Sequence, residues 1–336
     1  MVPCHPERSE GSGRGKPASG ALVAVVPTVG ASPYLAECLA ALRAQEGVAV
    51  EVVLVDQSAS GVGQVAGLAD RVLRPERNLG FAGGTNLGLQ AADAAVEWLA
   101  TVNDDAVVEP GWAAALIAAL TRQPGAAAAQ GVNLRLDDPA VADGWSLTWN
   151  RRWQAVQLGH GEPPPPADAV PREVFGVSAT AAVYRRAALA AVALPGGDLF
   201  DARLGSWYED ADLASRLRAA GWTALSVPAA RARHAGSATG ARGAGPARRR
   251  WTAVYGNRHL VLARLLGGGY WRRLPALLAR DALDLLRAAL AADLPRLAGI
   301  PAGWLRAARR LPAFARRGRP APPLAEVERL RVRSGE

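Results

Sequence analysis

Ala21-Leu22-Val23-Ala24-Val25-Val26-Pro27-Thr28 sets the fold of this 336-residue chain. Six apolar residues in succession, with no polar alternation, predict a strand buried on both faces. Pro27 and Gly30 close it. Residues 50–55 repeat the pattern and end at Asp56, and a shorter run ends at Asn103. Between and after these runs the period changes. Residues 35–44 place Leu35, Leu39 and Leu42 on one helical face, residues 87–99 read as a helix, and residues 111–120 form an Ala-rich one. Residues 126–132 return to strand. Strand alternating with helix predicts an α/β fold: a mostly parallel twisted sheet flanked by helices, with ligands at the carboxyl ends of its strands. Thr28, Asp56, Asp104 and Asp105 fall there.

Residues 137–173 break the alternation. Trp145, Trp149 and Trp153 lie between Asp143-Gly144 and Gly159-His160-Gly161, which predicts an irregular hairpin. Four prolines at 163–166 make a stiff connector. Residues 174–184 are strand-like, Arg185-Arg186 opens a helix, residues 211–220 form another that stops at Gly221, and residues 224–227 form a strand. Residues 270–317 are helical, punctuated by prolines. There Leu274, Leu277, Leu278, Leu285 and Leu286 are assigned to one face, and Arg280, Asp284 and Arg287 to the opposite one. Around Trp304, Leu305, Leu311 and Phe314 stand Arg306, Arg309, Arg310, Arg316 and Arg317. Such a basic amphipathic segment either lies on a membrane surface or docks on its own domain. The expected division is a disordered tail over residues 1–19, a catalytic domain over 20–262 and a helical region over 263–336.

The net charge of +9 is unevenly distributed. From Arg231 onward there are 22 arginines against 6 acidic residues, whereas the first 230 residues carry an acidic excess. A basic region on an acidic body suggests a polyanionic partner, such as phospholipid or a lipid diphosphate. Nucleic acid is not expected, because aromatic residues are not interleaved through the basic stretch. Two cysteines make no disulfide framework, which fits a reducing cytoplasm. No apolar run reads as a bilayer span or a signal peptide.

Two acidic clusters carry the chemistry. Thr101-Val102-Asn103-Asp104-Asp105 ends one strand, and Trp207-Tyr208-Glu209-Asp210-Ala211-Asp212 precedes a helix. Acids crowded at the end of a buried strand repel one another and lose hydration, so they want a cation or a shared proton. A divalent metal with a diphosphate would neutralise the first cluster, and a general base would account for the second. In both places, charge at a helix amino terminus is the plainer alternative. Arg77-Asn78-Leu79-Gly80-Phe81-Ala82-Gly83-Gly84-Thr85-Asn86-Leu87-Gly88 is glycine-rich and leads into a helix. Its glycines permit close approach to a ligand, the helix start favours anions, and Arg77 is placed to pair with phosphate; an ordinary tight turn is the alternative. Asp56 either accepts from the imide of a uracil or thymine ring or caps its own loop, since Ser58 and Ser60 follow.

Taken in order along the chain, Val26-Pro27-Thr28, Val55-Asp56-Gln57-Ser58-Ala59-Ser60, the Arg77–Gly88 segment, Asn103-Asp104-Asp105, Glu209-Asp210-Ala211-Asp212 and Arg233-His234-Ala235-Gly236-Ser237 resemble family 2 glycosyltransferases of the GT-A fold, rhamnosyltransferase-like branch. The resemblance covers residues 21–262. It implies that Asp105 and His234 ligate Mg²⁺ or Mn²⁺. It implies that Pro27, Thr28, Asp56, Arg77, Asn78, Gly84, Asn103 and Asp104 bind the nucleotide-sugar. Asp210 is then the general base, with Trp207 and Glu209 at the acceptor. The implied activity is inverting transfer of a sugar, rhamnose among the candidates, from a nucleotide-diphosphate donor to a glycan or lipid-linked acceptor. The setting would be surface-polysaccharide assembly at the inner face of the cell membrane. The segment from residue 275 to 319 is expected to be dispensable for the chemistry. Val29-Gly30, Ser178-Ala179 and Tyr255-Gly256-Asn257-Arg258 depart from the family pattern, and the last receives no role. Two alternatives stand beside this: a non-catalytic nucleotide-sugar-binding or scaffold protein of the same fold, and a nicotinamide-dependent oxidoreductase. Against the second, no dinucleotide fingerprint follows the first strand.

Overall fold

The structure, a computed structural model, describes residues 6–7, 22–236, 244–315, 322 and 324–331. Ser237, Arg316, Arg317 and Arg319 lie outside these, as does all of the expected tail except Pro6–Glu7 (β1). The chain then runs β2 (Leu22–Thr28), α1 (Leu35–Arg43), β3 (Val50–Asp56), β4 (Arg71–Leu73), α2 (Gly80–Gln90), β5 (Trp98–Val102), β6 (Ala106–Val108), α3 (Trp112–Arg122) and β7 (Ala126–Arg135). Next come β8 (Ala142–Gly144), the hairpin β9 (Ser146–Trp149) and β10 (Ala155–Leu158), β11 (Arg172–Val174), β12 (Ala181–Arg185), α4 (Arg186–Ala191), α5 (Glu209–Ala219) and β13 (Thr223–His234). Four helices finish the described chain: α6 (Ala244–Leu266), α7 (Gly268–Leu290), α8 (Leu294–Ala315) and α9 (Leu324–Arg329).

The main sheet has the order β1-β4-β3-β2-β5-β12-β7-β13-β11, with β6 on β13 and β8 on β7. The β4-β3-β2-β5 half is parallel, as the alternation predicts. The other half is mixed, because β12 runs antiparallel to both β5 and β7. Side chains of β2 alternate between two helical layers. Leu22, Ala24 and Val26 pack with α1 and α3, while Val23 and Val25 pack toward α2, α4 and α5.

Register delivers the polar residues to one edge. Thr28 stands opposite Asp56, Ala181 opposite Val102, and His234 opposite Ala106. The ends of β2, β3, β5 and β13 and the segment entering β12 therefore meet.

Several elements differ from expectation. The helix expected over 87–99 occupies Gly80–Gln90 instead, so the glycine-rich segment is the helix itself rather than a loop before it. Small residues let that helix lie close to the sheet: a Cβ on Gly88 would fall 2.3 Å from a Val25 methyl. The strand-like stretch 174–184 divides into β11 and β12, and the strand expected over 224–227 extends to His234.

The boundary expected after residue 262 falls inside α6. α8 crosses α6 so closely that a Cβ on Gly303 would lie 2.9 Å from the Gly256 nitrogen. The faces of α7 are also not those the leucine spacing suggested. Its buried side is Tyr270, Leu277, Asp281, Asp284 and Ala288, while Leu278 and Leu286 are exposed. Asp281 accepts hydrogen bonds from Arg258 (2.5 Å) and from the Trp304 indole (3.0 Å), and pairs with His259 Nε2 at 3.0 Å. Tyr255 donates to Asp284 at 3.1 Å. Paired buried charges outcompete leucine for the inner side of α7, because acids buried there without partners would be far costlier than exposed leucines.

Candidate active site

Thr28 ends β2 and donates its hydroxyl to Asp104 Oδ2 at 2.5 Å, while its oxygen accepts from the Gly30 N–H at 2.9 Å. Burial pushes the Asp104 carboxyl up to about 6; the Thr28 hydrogen bond opposes this and the neighbouring Asp105 adds to it. Asp105, buried at the end of the β5–β6 turn, has its Oδ1 3.2 Å from His234 Nε2. The other ring nitrogen, Nδ1, lies 2.8 Å from Asp143 Oδ2. Burial alone would lower the imidazole pKa, but the two flanking carboxylates raise it to about 9. For Asp143 burial pulls upward, yet His234 holds the carboxyl below its usual range. Asn103 Nδ2 is 3.5 Å from His234 Nε2, and its buried Oδ1 has no hydrogen-bond partner among the described residues.

These groups fit a hard cation in part. Asp105 and His234 are close enough to share one ion, and Asp143 behind the imidazole is the usual orienting carboxylate of a metal-bound histidine. Among the described residues no three His, Cys, Asp or Glu side chains converge on a single point. The rest of a coordination shell would have to come from a ligand, as is common where a cation sits on phosphates.

The second acidic cluster opens α5. Asp210 Oδ1 accepts from the Ala211 N–H at 2.7 Å, and the nearby Ala179 N–H and Ser178 hydroxyl also favour the charged form. Burial outweighs these and lifts its pKa to about 6. Glu209 is pushed well above its usual range, by burial and then by the charge of Asp210, and its buried Oε2 has no hydrogen-bond partner among the described residues. Each carboxyl disfavours ionisation of the other, so the two titrate as a pair. Asp212 does different work: it is fully buried and paired with Arg216 at 2.9 Å and with Arg264. The segment before β12 bridges the two clusters, since the Asn103 N–H donates to the Thr180 carbonyl at 2.8 Å and Thr180 Oγ1 is 3.0 Å from Ser178 Oγ.

The turn that presents Asp210 is strained. Trp207 and Tyr208 are consecutive non-glycine residues at φ 75° and 72°, each costing about 1–2 kcal/mol in that region. The Asn257 amide of α6 holds it, donating to the carbonyls of Leu204 (2.9 Å), Ser206 (3.1 Å) and Trp207 (2.8 Å). Trp207 is 40 % exposed, with the Arg250 guanidinium 4.7 Å over its ring.

Other expected residues stand differently. Asp56 is spent on its own loop: it accepts from the Ser58 N–H (3.0 Å), the Ser58 hydroxyl (2.5 Å) and the Val62 N–H (3.2 Å), with Arg74 at 3.6 Å. The amino end of α2 is capped by protein. Asn78 Oδ1 takes the Gly80 N–H at 2.8 Å, Ser206 Oγ the Phe81 N–H at 3.3 Å, and the Gly205 carbonyl the Ala82 N–H at 2.8 Å. Gly84 lies under Gln57, whose Nε2 would be 2.5 Å from an added Cβ. Arg77 is exposed. The glycines of this segment thus serve helix–sheet and helix–loop packing.

The sequence does not single out Asp143, Ser178, Thr180 or Asn257 as functional residues. It offers Asp143 only as a turn residue and Ser178 only as a departure from the family pattern. Their partners lie dozens of residues away across the sheet, where no local spacing announces them.

A search of curated proteins finds no match. Among solved structures the chain resembles GalNAc-T7, crystallised with UDP, GalNAc and Mn²⁺: 16% identity, TM-score 0.51, covering 77% of this chain and 51% of that one. The chain thus spans about half the length of that relative. S. aureus TarS (18% identity, covering 72% and 42%, TM-score 0.45) and the Pyrobaculum calidifontis mannosyltransferase PcManGT with GDP-Man and Mn²⁺ (19%, covering 88% and 87%, 0.49) are also similar. Residues 23–192, from the first core strand through α4, match Glycosyl transferase family 2, so the chain belongs to that family.

Proposed function

We propose that this protein is an inverting, metal-dependent glycosyltransferase acting on a nucleotide-diphosphate sugar. The observation that carries this is the placement of the Glu209–Asp210 pair, Glu209 buried and Asp210 half-buried, beside a Ser178–Thr180 segment that is hydrogen-bonded to Asn103 of the Asp104–Asp105–His234 cluster. Asp105 and His234 would hold the cation, Mg²⁺ or Mn²⁺, which when bound would neutralise the donor diphosphate. Arg77, exposed beside α2, would add a second positive charge to it. Pro27, Thr28, Asp56, Asn78, Gly84, Asn103 and Asp104 would face the nucleoside and sugar. For Asp56 this requires an oxygen lone pair beyond those its loop uses.

Asp210 takes the proton of an acceptor hydroxyl as that oxygen attacks the anomeric carbon from the face opposite the diphosphate. One C–O bond forms as the other breaks, and nucleoside diphosphate leaves. Glu209 is placed to hydrogen-bond an acceptor hydroxyl, and Trp207 offers an apolar ring beside it. The resemblance to the rhamnosyltransferase-like branch favours a deoxyhexose donor. A glycan or lipid-linked acceptor at the inner face of the cell membrane, in surface-polysaccharide assembly, completes the proposal. The test is release of nucleoside diphosphate from UDP-, GDP- and dTDP-sugars, with and without Mn²⁺. Turnover of at least one donor that depends on metal and on Asp210 is expected. Nucleotide-sugar binding without any turnover would favour a binding protein of the same fold.

A further inference from the structure

α7 buries its polar side and exposes its apolar one. Leu283, Leu286 and Leu290 are 49 %, 55 % and 81 % exposed, and Leu294, where the chain turns into α8, is 68 % exposed. Pro275, Ala276, Ala279, Ala282 and Ala289 fill the same outward side with further apolar surface. Trp271, 59 % exposed, stands at the amino end of the helix. A contiguous apolar face of this kind on a water-soluble surface marks a contact with something else.

The charges around it say what that is. Between residues 268 and 290 the only acids are Asp281 and Asp284, and both are buried on the opposite side. The remaining charges are all arginines. Arg272 and Arg287 are exposed, and Arg273 and Arg280 half-buried. A second copy of this face would set arginine against arginine, whereas an anionic lipid headgroup layer would meet arginine with phosphate. No described helix is long and apolar enough to cross a membrane, so contact would be made from the surface. A helix with leucine and alanine outward, Arg287 at the margin, and Arg272 and Trp271 at the amino end has the composition that settles at a headgroup boundary.

We infer that the outward face of α7, continued by Leu294, seats this protein on an anionic lipid bilayer. This deepens the membrane setting of the proposed function by naming the surface that makes the contact. Its readout is binding rather than turnover, so it can fail while the transferase assignment stands, and the reverse.

The experiment is co-sedimentation of the full chain with phosphatidylcholine vesicles, with and without phosphatidylglycerol, at low and high salt. The wild type should pellet with the anionic vesicles at low salt and be released by salt. Leu283→Glu/Leu286→Glu/Leu290→Glu should bind at least tenfold more weakly. These side chains are solvent-exposed, so the variant should melt like the wild type; if it does not, Leu286→Glu alone is the comparison. Failure of the wild type to bind anionic vesicles at low salt overturns the inference. So does equal binding by the variant, or a wild-type dimer in solution that the substitutions dissociate, which would make the face a self-interface.

Discussion

A carboxylate that must accept a proton at neutral pH has to be ionised yet poorly solvated, and Asp210 meets both conditions. Its folded pKa of about 6 lies above the unfolded 3.8, so folding disfavours its charged form. Below pH 3.8 both states are protonated and nothing is lost. The penalty grows between pH 3.8 and 6 and is complete above, on the order of 1–3 kcal/mol. Asp210→Asn should therefore raise the melting temperature at pH 8 while lowering turnover by roughly 10²–10⁴-fold with donor affinity nearly unchanged. Turnover in the wild type should rise with pH through about 6. Calorimetry, steady-state rates and melting curves on the same samples check all three, and retained turnover would remove Asp210 from its role. The imidazole of His234 sits between Asp105 and Asp143. Asp143→Ala should weaken Mn²⁺-dependent nucleoside-diphosphate binding about 10–100-fold, as should direct removal of Asp105 or His234. Unchanged metal-dependent binding in Asp143→Ala would reduce that carboxylate to a turn residue.

At the scale of elements, the turn over residues 203–208 is held from outside itself. Asn257 supplies donors to three of its carbonyls. Asn257→Ala should lower kcat about 10–100-fold, because a displaced base loses alignment, while the donor KM stays close to wild type. An unchanged kcat with a lower melting temperature would mean that Asn257 only stabilises. The alternating core strands were legible because each is a local run with its own period. The acidic clusters were legible because they are short motifs in a fixed order. The extent of α2 was not. Gly80, Gly83, Gly84 and Gly88 read as loop, since glycine disfavours helix, and only the proximity of Val25, Gln57 and Gly205 explains why a helix of small residues is needed there. The inward side of α7 was misassigned for a related reason. Leucine spacing alone cannot reveal that Arg258 and His259, on another helix, make Asp281 a buried residue.

Across the whole molecule the carboxyl-terminal helices pack against the turn that presents Asp210. Arg306 of α8 donates to the carbonyls of Arg203 (3.3 Å) and Leu204 (3.0 Å), and Phe314 lies 3.8 Å under the Arg203 guanidinium. α6 through α9 share an apolar cluster with the β9–β10 hairpin. A chain ending at Leu266 would lose Asp281, the partner of Arg258, and would bare the apolar side of α6 that the later helices cover. It should melt at lower temperature and turn over poorly, contrary to the dispensability that the basic composition suggested. Wild-type kcat in the shortened chain would restore that earlier expectation.

The anchoring of the Leu204 carbonyl by Arg306 spans 102 residues of sequence. Synthesis proceeds from the amino end, so the sheet, its acidic edge and the donor-side residues all leave the ribosome well before the helix that secures the base. Contacts so distant along the chain form late, after closure of a long loop. On the proposed mechanism, competence for transfer would then be acquired near the end of maturation, because a nascent chain would hold its sheet and acidic edge before Asp210 is aimed.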